Sequence, residues 1–369
     1  MAKIMIGLSG GVDSAVAAYI LKSQGHEVIA GFMRNWDSLA NNDILGNNNV
    51  GPVCPQEQDY QDAKAVADKL GIPLYRVDFI KEYWDNVFSY FVQEYQKGRT
   101  PNPDVLCNKY IKFDAFLKFA LEHNVDYIAT GHYAKVSHEG GKNVLYKAKD
   151  LNKDQSYFLA LLTSEQLAKT LFPLSDITKP EVREIAHKLG LSSVESKKDS
   201  TGICFIGERD FRKFLQNYIP AQPGDIVDYK SGQVIGHHIG VMYYTLGQRR
   251  GLGIGGIKDH ESGSWFVFKK DIDKRILYVA QGDDAVLYDS EVIVKDVNWI
   301  NGPKPLVPTK MCAKFRYRQK DCEIEAYFMD ETTVKVHCLN KVKAITPGQI
   351  CVFYQGDICL GGGTIDSSK

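Results

Sequence analysis

Gly7-Leu8-Ser9-Gly10-Gly11-Val12-Asp13-Ser14-Ala15 stands between an apolar run at 3–8 and a second apolar run at 14–22. The first run reads as a short buried strand. The second carries Val16, Ala17, Ile20 and Leu21 at helical spacing and stops near Gly25. A strand, a tight Gly-Gly loop and a helix start aim several backbone N–H groups at one point. The helix dipole adds partial positive charge there, so the point suits a phosphate or pyrophosphate. Gly10 and Gly11 permit close backbone approach and positive φ. Ser9 and Ser14 add hydroxyl donors, and Asp13 offers a carboxylate to a magnesium ion bridging phosphates.

Two better-known phosphate loops do not fit. The stretch has no Gly-Lys-Ser/Thr ending and no Gly-x-Gly-x-x-Gly at this first turn. Its Ser-Gly-Gly-x-Asp-Ser core resembles the signature of the N-type ATP pyrophosphatases, which implies cleavage of ATP to AMP and pyrophosphate while an acceptor is adenylated. The plainer alternative is a glycine-rich turn that holds no ligand.

Bulk properties bound the rest. A chain of 369 residues is too long for one small core, which predicts two or three domains. With 44% apolar and 24% charged residues the composition is that of an ordinary globular protein. No apolar run reaches membrane-spanning length, and the first residues lack a secretory or transit pattern, so a cytoplasmic enzyme without a membrane partner is expected. Formal net charge is zero, so any nucleic acid must be held by local patches. Cysteines stand at 54, 107, 204, 312, 322, 338, 351 and 359, without Cys-x-x-Cys or a zinc spacing. Most are expected to be reduced and buried, and no tightly bound structural metal is expected.

Up to about residue 200, strands and helices alternate. Strands are expected at 28–34, 74–79 and 127–130, with helices at 59–70, 81–96, 105–123, 154–169 and 179–189. This alternation predicts an α/β fold with a mostly parallel sheet. An Asn/Gly-rich stretch at 37–55 reads as a surface insertion. Beyond 220, short β-prone runs appear at 225–229, 265–269, 276–279, 311–317, 323–328, 333–337 and 350–354. The expected domains are a catalytic unit at 1–210, a central β-rich unit at 211–283 and a C-terminal β-barrel at 284–369.

Several other constellations could carry chemistry. In Gly98-Arg-Thr-Pro-Asn102-Pro103-Asp104-Val-Leu-Cys107-Asn108, two prolines hold the chain extended and Asp104 is placed to cap the next helix. Cys107 then falls in a first turn, where the dipole favours thiolate; a capping Asp beside a buried Cys explains the same residues. Cys204 follows Lys197 and Lys198 in a polar junction stretch, with the same two readings open. Thr130-Gly131-His132-Tyr133 ends an apolar strand, where α/β proteins bind ligands. Lys153-Asp154-Gln155 opens an expected helix. Gln248-Arg249-Arg250 and Arg316-Tyr317 mix cations with Gln or Tyr, which suits RNA or a solvated surface equally.

Taken together, the motifs resemble those of the bacterial tRNA-specific 2-thiouridylase (MnmA-type) family along essentially the whole chain. They are residues 7–14, Thr100–Asp104 with Cys107, Thr130–His132, Lys153–Gln155, 202–206 around Cys204, and Tyr244–Arg249. The resemblance implies an adenine-nucleotide α-hydrolase-like (PP-loop) domain and a reaction. ATP with Mg2+ would adenylate O2 of a tRNA wobble uridine, and sulfur would then displace AMP. It further implies that Gly7 to Ser14, Met33 and Gly131 bind ATP and that Asn102, Pro103 and Asp104 contact the target base. Cys204 would carry a persulfide supplied by a sulfur-donor protein, with Cys107 as its partner thiol. Asp104 could shuttle a proton. His132, Lys153, Asp154, Gln155, Arg316, Tyr317 and Gln349 would touch tRNA. Two rivals remain: a pyrophosphatase-fold ligase that adenylates a small molecule, and a non-catalytic tRNA-binding protein.

Overall fold

The computed structural model describes residues 1–45, 55–195, 197, 210–254, 263–302 and 307–369. Cys54, Cys204 and the rest of the 202–206 motif lie outside the described residues.

Lys3–Gly7 and Glu27–Arg34 are apolar on nearly every residue and buried on both faces, as central parallel strands must be. The parallel sheet runs Leu74–Asp78, Glu27–Arg34, Lys3–Gly7, Tyr127–Ala129, Thr170–Leu171. Strand order reverses between Lys3–Gly7 and Tyr127–Ala129. The loops leaving the C-terminal ends of these two strands therefore flank a switch-point crevice, where such sheets bind ligands. The 7–15 loop and the 130–133 turn are those two loops.

Helix expectations hold in place more than in detail. The helix expected at 81–96 runs as Ile80–Tyr83, Trp84–Phe88 and Ser89–Gln96, with i→i+5 bonding in its middle piece. The helix expected at 105–123 starts at Pro103 and widens in the same way over Asn108–Ala115. The single helix expected at 154–169 is two short ones, Ser156–Leu159 and Ser164–Ala168. A capping box explains the break: Thr163 Oγ1 accepts from the Gln166 N–H (3.2 Å) and Gln166 Oε1 accepts from the Thr163 N–H (3.0 Å).

The central unit is a four-stranded sheet ordered Trp265–Asp271, Ile276–Gln281, Gly224–Asp228, Val234–His238. The C-terminal strands Tyr288–Trp299, Val334–Lys343, Cys322–Phe328, Thr309–Lys314, Ile350–Gln355 and Ile358–Ser368 pair in that order, and the last returns to the first. That closes an antiparallel barrel. One feature was not expected. The hairpin Lys135–Glu139/Lys142–Tyr146, from the α/β unit, joins the barrel sheet through Leu145 and Tyr146 opposite Cys359 and Ile358. A single buried cluster likewise runs from Met5 and Cys107 through Phe214 and Val279 to Ile350 and Tyr354. This cluster draws residues from all three units, while the barrel interior and one face of the parallel sheet form clusters of their own.

Candidate active site

The 7–15 loop is braced by its own groups. Gly10 takes φ +72°, whereas Gly11 is extended and caps the helix Val12–Ser23. Ser14 Oγ donates to the Gly11 carbonyl (3.0 Å) and accepts from the Ser9 N–H (3.2 Å), and the two serine hydroxyls share a third bond. Both hydroxyls that the sequence offers to a phosphate thus hold the loop in shape.

Asp13 is the electrostatic centre. Lys179 Nζ donates to both its oxygens (2.7 and 2.9 Å), and Tyr133 Oη donates to Oδ1 (2.8 Å). Neither partner was singled out in the sequence. Lys179 read only as the first residue of a helix, and Tyr133 as the tail of a motif. Both are set by residues 150–155. Asp150 Oδ2 accepts from the Lys179 N–H (2.9 Å), while Gln155 Oε1 accepts from the Tyr133 N–H (2.9 Å) and the Gln155 N–H donates to the Tyr133 carbonyl (2.8 Å). A second lysine, Lys197, donates to the Gly10 carbonyl (3.1 Å) and to Asp59 and Asp62 (2.5 and 2.8 Å).

Gly131 abuts this loop. A Cβ there would lie 2.7 Å from Ser14 N and 2.8 Å from the Asp13 carbonyl carbon, both backbone atoms that cannot swing aside. Gly131→Ala is therefore expected to lower stability by about 1–3 kcal/mol, checked by urea unfolding. Met33 stands on the neighbouring strand, its Cε 3.1 Å from where a Gly7 Cβ would be.

His132 faces inward rather than toward solvent. Its Nδ1 bonds the Thr130 hydroxyl (2.7 Å), and Phe113 and Phe172 flank its ring. Burial holds its pKa well below the usual 6.5, with the Lys112 charge adding to the effect. The folded state thus keeps the ring neutral, and its contribution to stability is present above pH 6.5 and lost as pH falls below it. From pH 7.5 to 5.5 the urea midpoint of the wild type is expected to fall more than that of His132→Gln.

Asn102, not Asp104, caps the helix beginning at Pro103: its Oδ1 accepts from the Val105 N–H (3.4 Å), and Asp104 sits in the first turn. Pro103 fits that start because a first-turn residue needs no N–H partner. Cys107, fully buried, is the fifth residue of this helix. Further along, Phe116 packs against Gly7 and Gly31, so the cysteine-bearing helix crosses the sheet face beneath the loop.

Both β units grip the segment ahead of Cys107. The Thr100 N–H donates to the Pro347 carbonyl (2.9 Å), Gln349 Nε2 donates to the Thr100 and Pro101 carbonyls (2.8 and 3.3 Å), and the Thr100 and Thr245 hydroxyls bond each other (3.3 Å). Arg316 Nη2 donates to the Leu246 and Ala344 carbonyls (2.7 and 2.9 Å) and to Thr346 Oγ1 (2.6 Å), joining the central unit to the barrel. Tyr317 packs on Phe158, ring centroids 4.3 Å apart. Asp154 is buried and accepts from the Ala148 and Ser156 N–H groups and from Ser156 Oγ; burial raises its pKa against those bonds. In this conformation Arg316, Gln349 and Asp154 are engaged within the protein. Lys153 is half-buried at the turn before Gln155.

No group of three or more His, Cys, Asp or Glu residues among the described ones could hold a metal ion. At the loop Asp13 is bonded to Lys179, and Asp59 and Asp62 to Lys197, which fits a magnesium ion held mainly by nucleotide phosphates and poorly suits one caged by protein.

Residues 2–208 match the family model described as tRNA methyl transferase HUP domain. Residues 212–281 match the tRNA methyl transferase PRC-barrel domain and 289–365 the aminomethyltransferase beta-barrel domain. The chain is 57% identical to the tRNA-specific 2-thiouridylase MnmA of Mycoplasma capricolum subsp. capricolum over 99% of its own length and 98% of that protein. It is 52% identical to the protein of the same name from Bacillus cereus, over 99% and 94%. Among solved structures it is similar to the NMN synthetase from Francisella tularensis, at 19% identity and a TM-score of 0.33 over 54% of this chain and 67% of that one.

Proposed function

We propose, from the premise that the chain belongs to the tRNA-specific 2-thiouridylase MnmA family, that it catalyses ATP-dependent 2-thiolation of a tRNA wobble uridine in the cytoplasm. The observation that carries this reading is a juxtaposition. The Asn102–Cys107 segment, held by both β units, leads into the helix that packs beneath the Asp13 loop.

In this reading ATP, with its magnesium, lies along residues 7–14, with Met33 and Gly131 beside it. Asn102, Pro103 and Asp104 face the uracil. Uracil O2 attacks the α-phosphorus and pyrophosphate leaves, so an oxygen that leaves poorly becomes part of AMP. Lys179 and the loop N–H groups are positioned for charge that grows on the departing pyrophosphate. Cys204 carries a persulfide delivered by a donor protein. Cys107 thiolate attacks Cys204 Sγ of the persulfide, so that the Cys107–Cys204 disulfide forms, the Sγ–SH bond breaks and the outer sulfur leaves as hydrosulfide. Hydrosulfide adds at C2, AMP departs, and a thiol reductant reopens the disulfide for the next cycle. Asp104 is suited to moving the proton involved. Lys153, Gln155, Arg316, Tyr317 and Gln349 are proposed to meet tRNA after releasing part of their internal bonds, with His132 and Asp154 supporting that surface from within.

The test is nucleoside mass spectrometry of tRNA incubated with the protein, ATP and a persulfide donor. Formation of 2-thiouridine with equivalent AMP is expected. Tight, tRNA-independent pyrophosphate release would instead point to a small-molecule ligase, and RNA binding without pyrophosphate release to a non-catalytic binder.

A further inference from the structure

Asn108 follows Cys107 in the chain, where the helix Pro103–Cys107 widens into its i→i+5 continuation. Widened turns of this kind recur at functional sites. The Asn108 side chain is buried, at 2% exposure. Its Nδ2 donates to the Phe158 carbonyl (3.0 Å), whereas its Oδ1 has no hydrogen-bond partner among the described residues. A buried carbonyl oxygen without a donor is uncommon, because it has given up water and gained nothing in return.

Phe158 belongs to the short helix Ser156–Leu159, which packs on both pieces of the cysteine-bearing helix. One residue earlier in that short helix, the Tyr157 hydroxyl lies against the Asn102 side chain. Asn102 and Asn108 are thus held by adjacent residues of one short helix, with Cys107 between them in sequence. Asn102 belongs to the segment proposed to face the uracil, so the unsatisfied oxygen stands close to both base and thiol. Cys107 is as deeply buried as Asn108, and a movement that uncovers the thiol acts on its chain neighbour too.

The Phe158 carbonyl also fixes which way the amide points. Turning it over would set Oδ1 against that carbonyl and leave both oxygens without a donor. Asn108 therefore has an acceptor to offer, and no donor. Uracil carries a donor, N3–H, beside C2, the atom that takes up sulfur. Cytosine has a bare lone pair at the same position. We infer that Asn108 Oδ1 accepts the N3–H of the target uridine, which makes Asn108 a specificity-determining residue that admits uracil and rejects cytosine. Reading of bases through their Watson–Crick edges is how single-stranded RNA is commonly told apart. The inference rests on the thiolation reading for the identity of the base.

The test measures binding of the full chain to an anticodon stem–loop RNA with either uridine or cytidine at the wobble position. The wild type is expected to bind the uridine RNA about 10- to 100-fold more tightly. Asn108→Leu and the smaller Asn108→Ala both remove the acceptor, and in either one the preference should fall below about threefold. Asn108→Asp also gives up the amide donor but keeps an acceptor, so a preference of about tenfold should survive, and its loss there would overturn the acceptor role. A residue that merely braces the helix would weaken both RNAs alike and leave their ratio at the wild-type value. That result, or a wild type that binds the two RNAs equally, would overturn the assignment. The wild-type comparison needs no variant to fold. RNA bound with the expected preference yet never thiolated would sink the thiolation reading and leave the contact standing. Normal thiolation with an unchanged ratio in Asn108→Leu would do the reverse.

Discussion

Lys179→Met is expected to slow tRNA-dependent pyrophosphate release by about 100- to 1,000-fold, with the thermal midpoint shifted by only a few degrees. Its ammonium contacts both oxygens of Asp13 and the Lys179 side chain is 9% exposed, whereas the Asp13 side chain is 34% exposed. An aspartate left by its lysine can still reach water and keeps the Tyr133 hydroxyl, so folding loses little. Catalysis loses more, because a preplaced cation acts on charge that appears only as the pyrophosphate departs. Lys179→Arg keeps the charge in a bulkier fork and should recover part of the rate. Should the lysine serve only to neutralise Asp13, Asp13→Asn/Lys179→Met would restore near-normal release. That restoration would sink the catalytic role.

The same pair shows what could be read in the sequence. Loop 7–15 was legible because everything that defines it is local: an apolar strand, two glycines, two serines and an amphipathic run. The parallel sheet followed from alternation of the same kind. Lys179 was not legible, since its meaning comes from a contact with a residue 166 positions away, and a lysine ahead of Pro180 reads as an ordinary helix start. The hairpin Lys135–Glu139/Lys142–Tyr146 mixes charged, polar and apolar residues without a clean two-residue alternation and carries only a weak strand signal. Ile358–Ser368 was missed for a different reason. Its Gly361-Gly362-Gly363 run argues against a strand by propensity, yet in the barrel a Cβ at Gly361 would fall within the Asn298 carbonyl. Glycine is needed where two strands cross that closely. Arg316 and Gln349 were visible as residues of interest. Their bonds to the central unit and to the Thr100 segment, however, are long-range facts that no spacing encodes.

Cys107→Ser is expected to abolish 2-thiouridine formation, by about 100-fold or more, while tRNA-dependent AMP and pyrophosphate release stays within a few-fold of wild type. The split follows from the two roles. In the proposed reaction Asp13 and Lys179 serve the nucleotide, whereas Cys107, on the helix Pro103–Cys107, serves the sulfur step alone, so the adenylating half does not need its thiol. Cys204→Ala should give the same split if the two thiols act in one transfer. Among the other described cysteines, burial pushes the Cys338 and Cys359 thiols up to about 12 and Cys351 well above its usual range. Thiols held protonated neither attack a persulfide nor carry one efficiently. Cys359→Ser should therefore lower stability and leave the thiolation rate per folded molecule unchanged. Full burial of Cys107 adds a kinetic consequence. A thiol at zero exposure cannot meet a persulfide until the Thr100–Cys107 segment moves, and that segment is clamped by Thr245, Pro347 and Gln349. Alkylation of Cys107 should accordingly be slow in the free protein and accelerate when tRNA binds. An equally slow rate in the presence of saturating tRNA would mean that Cys107 is a packing residue and that the second thiol of the transfer lies elsewhere.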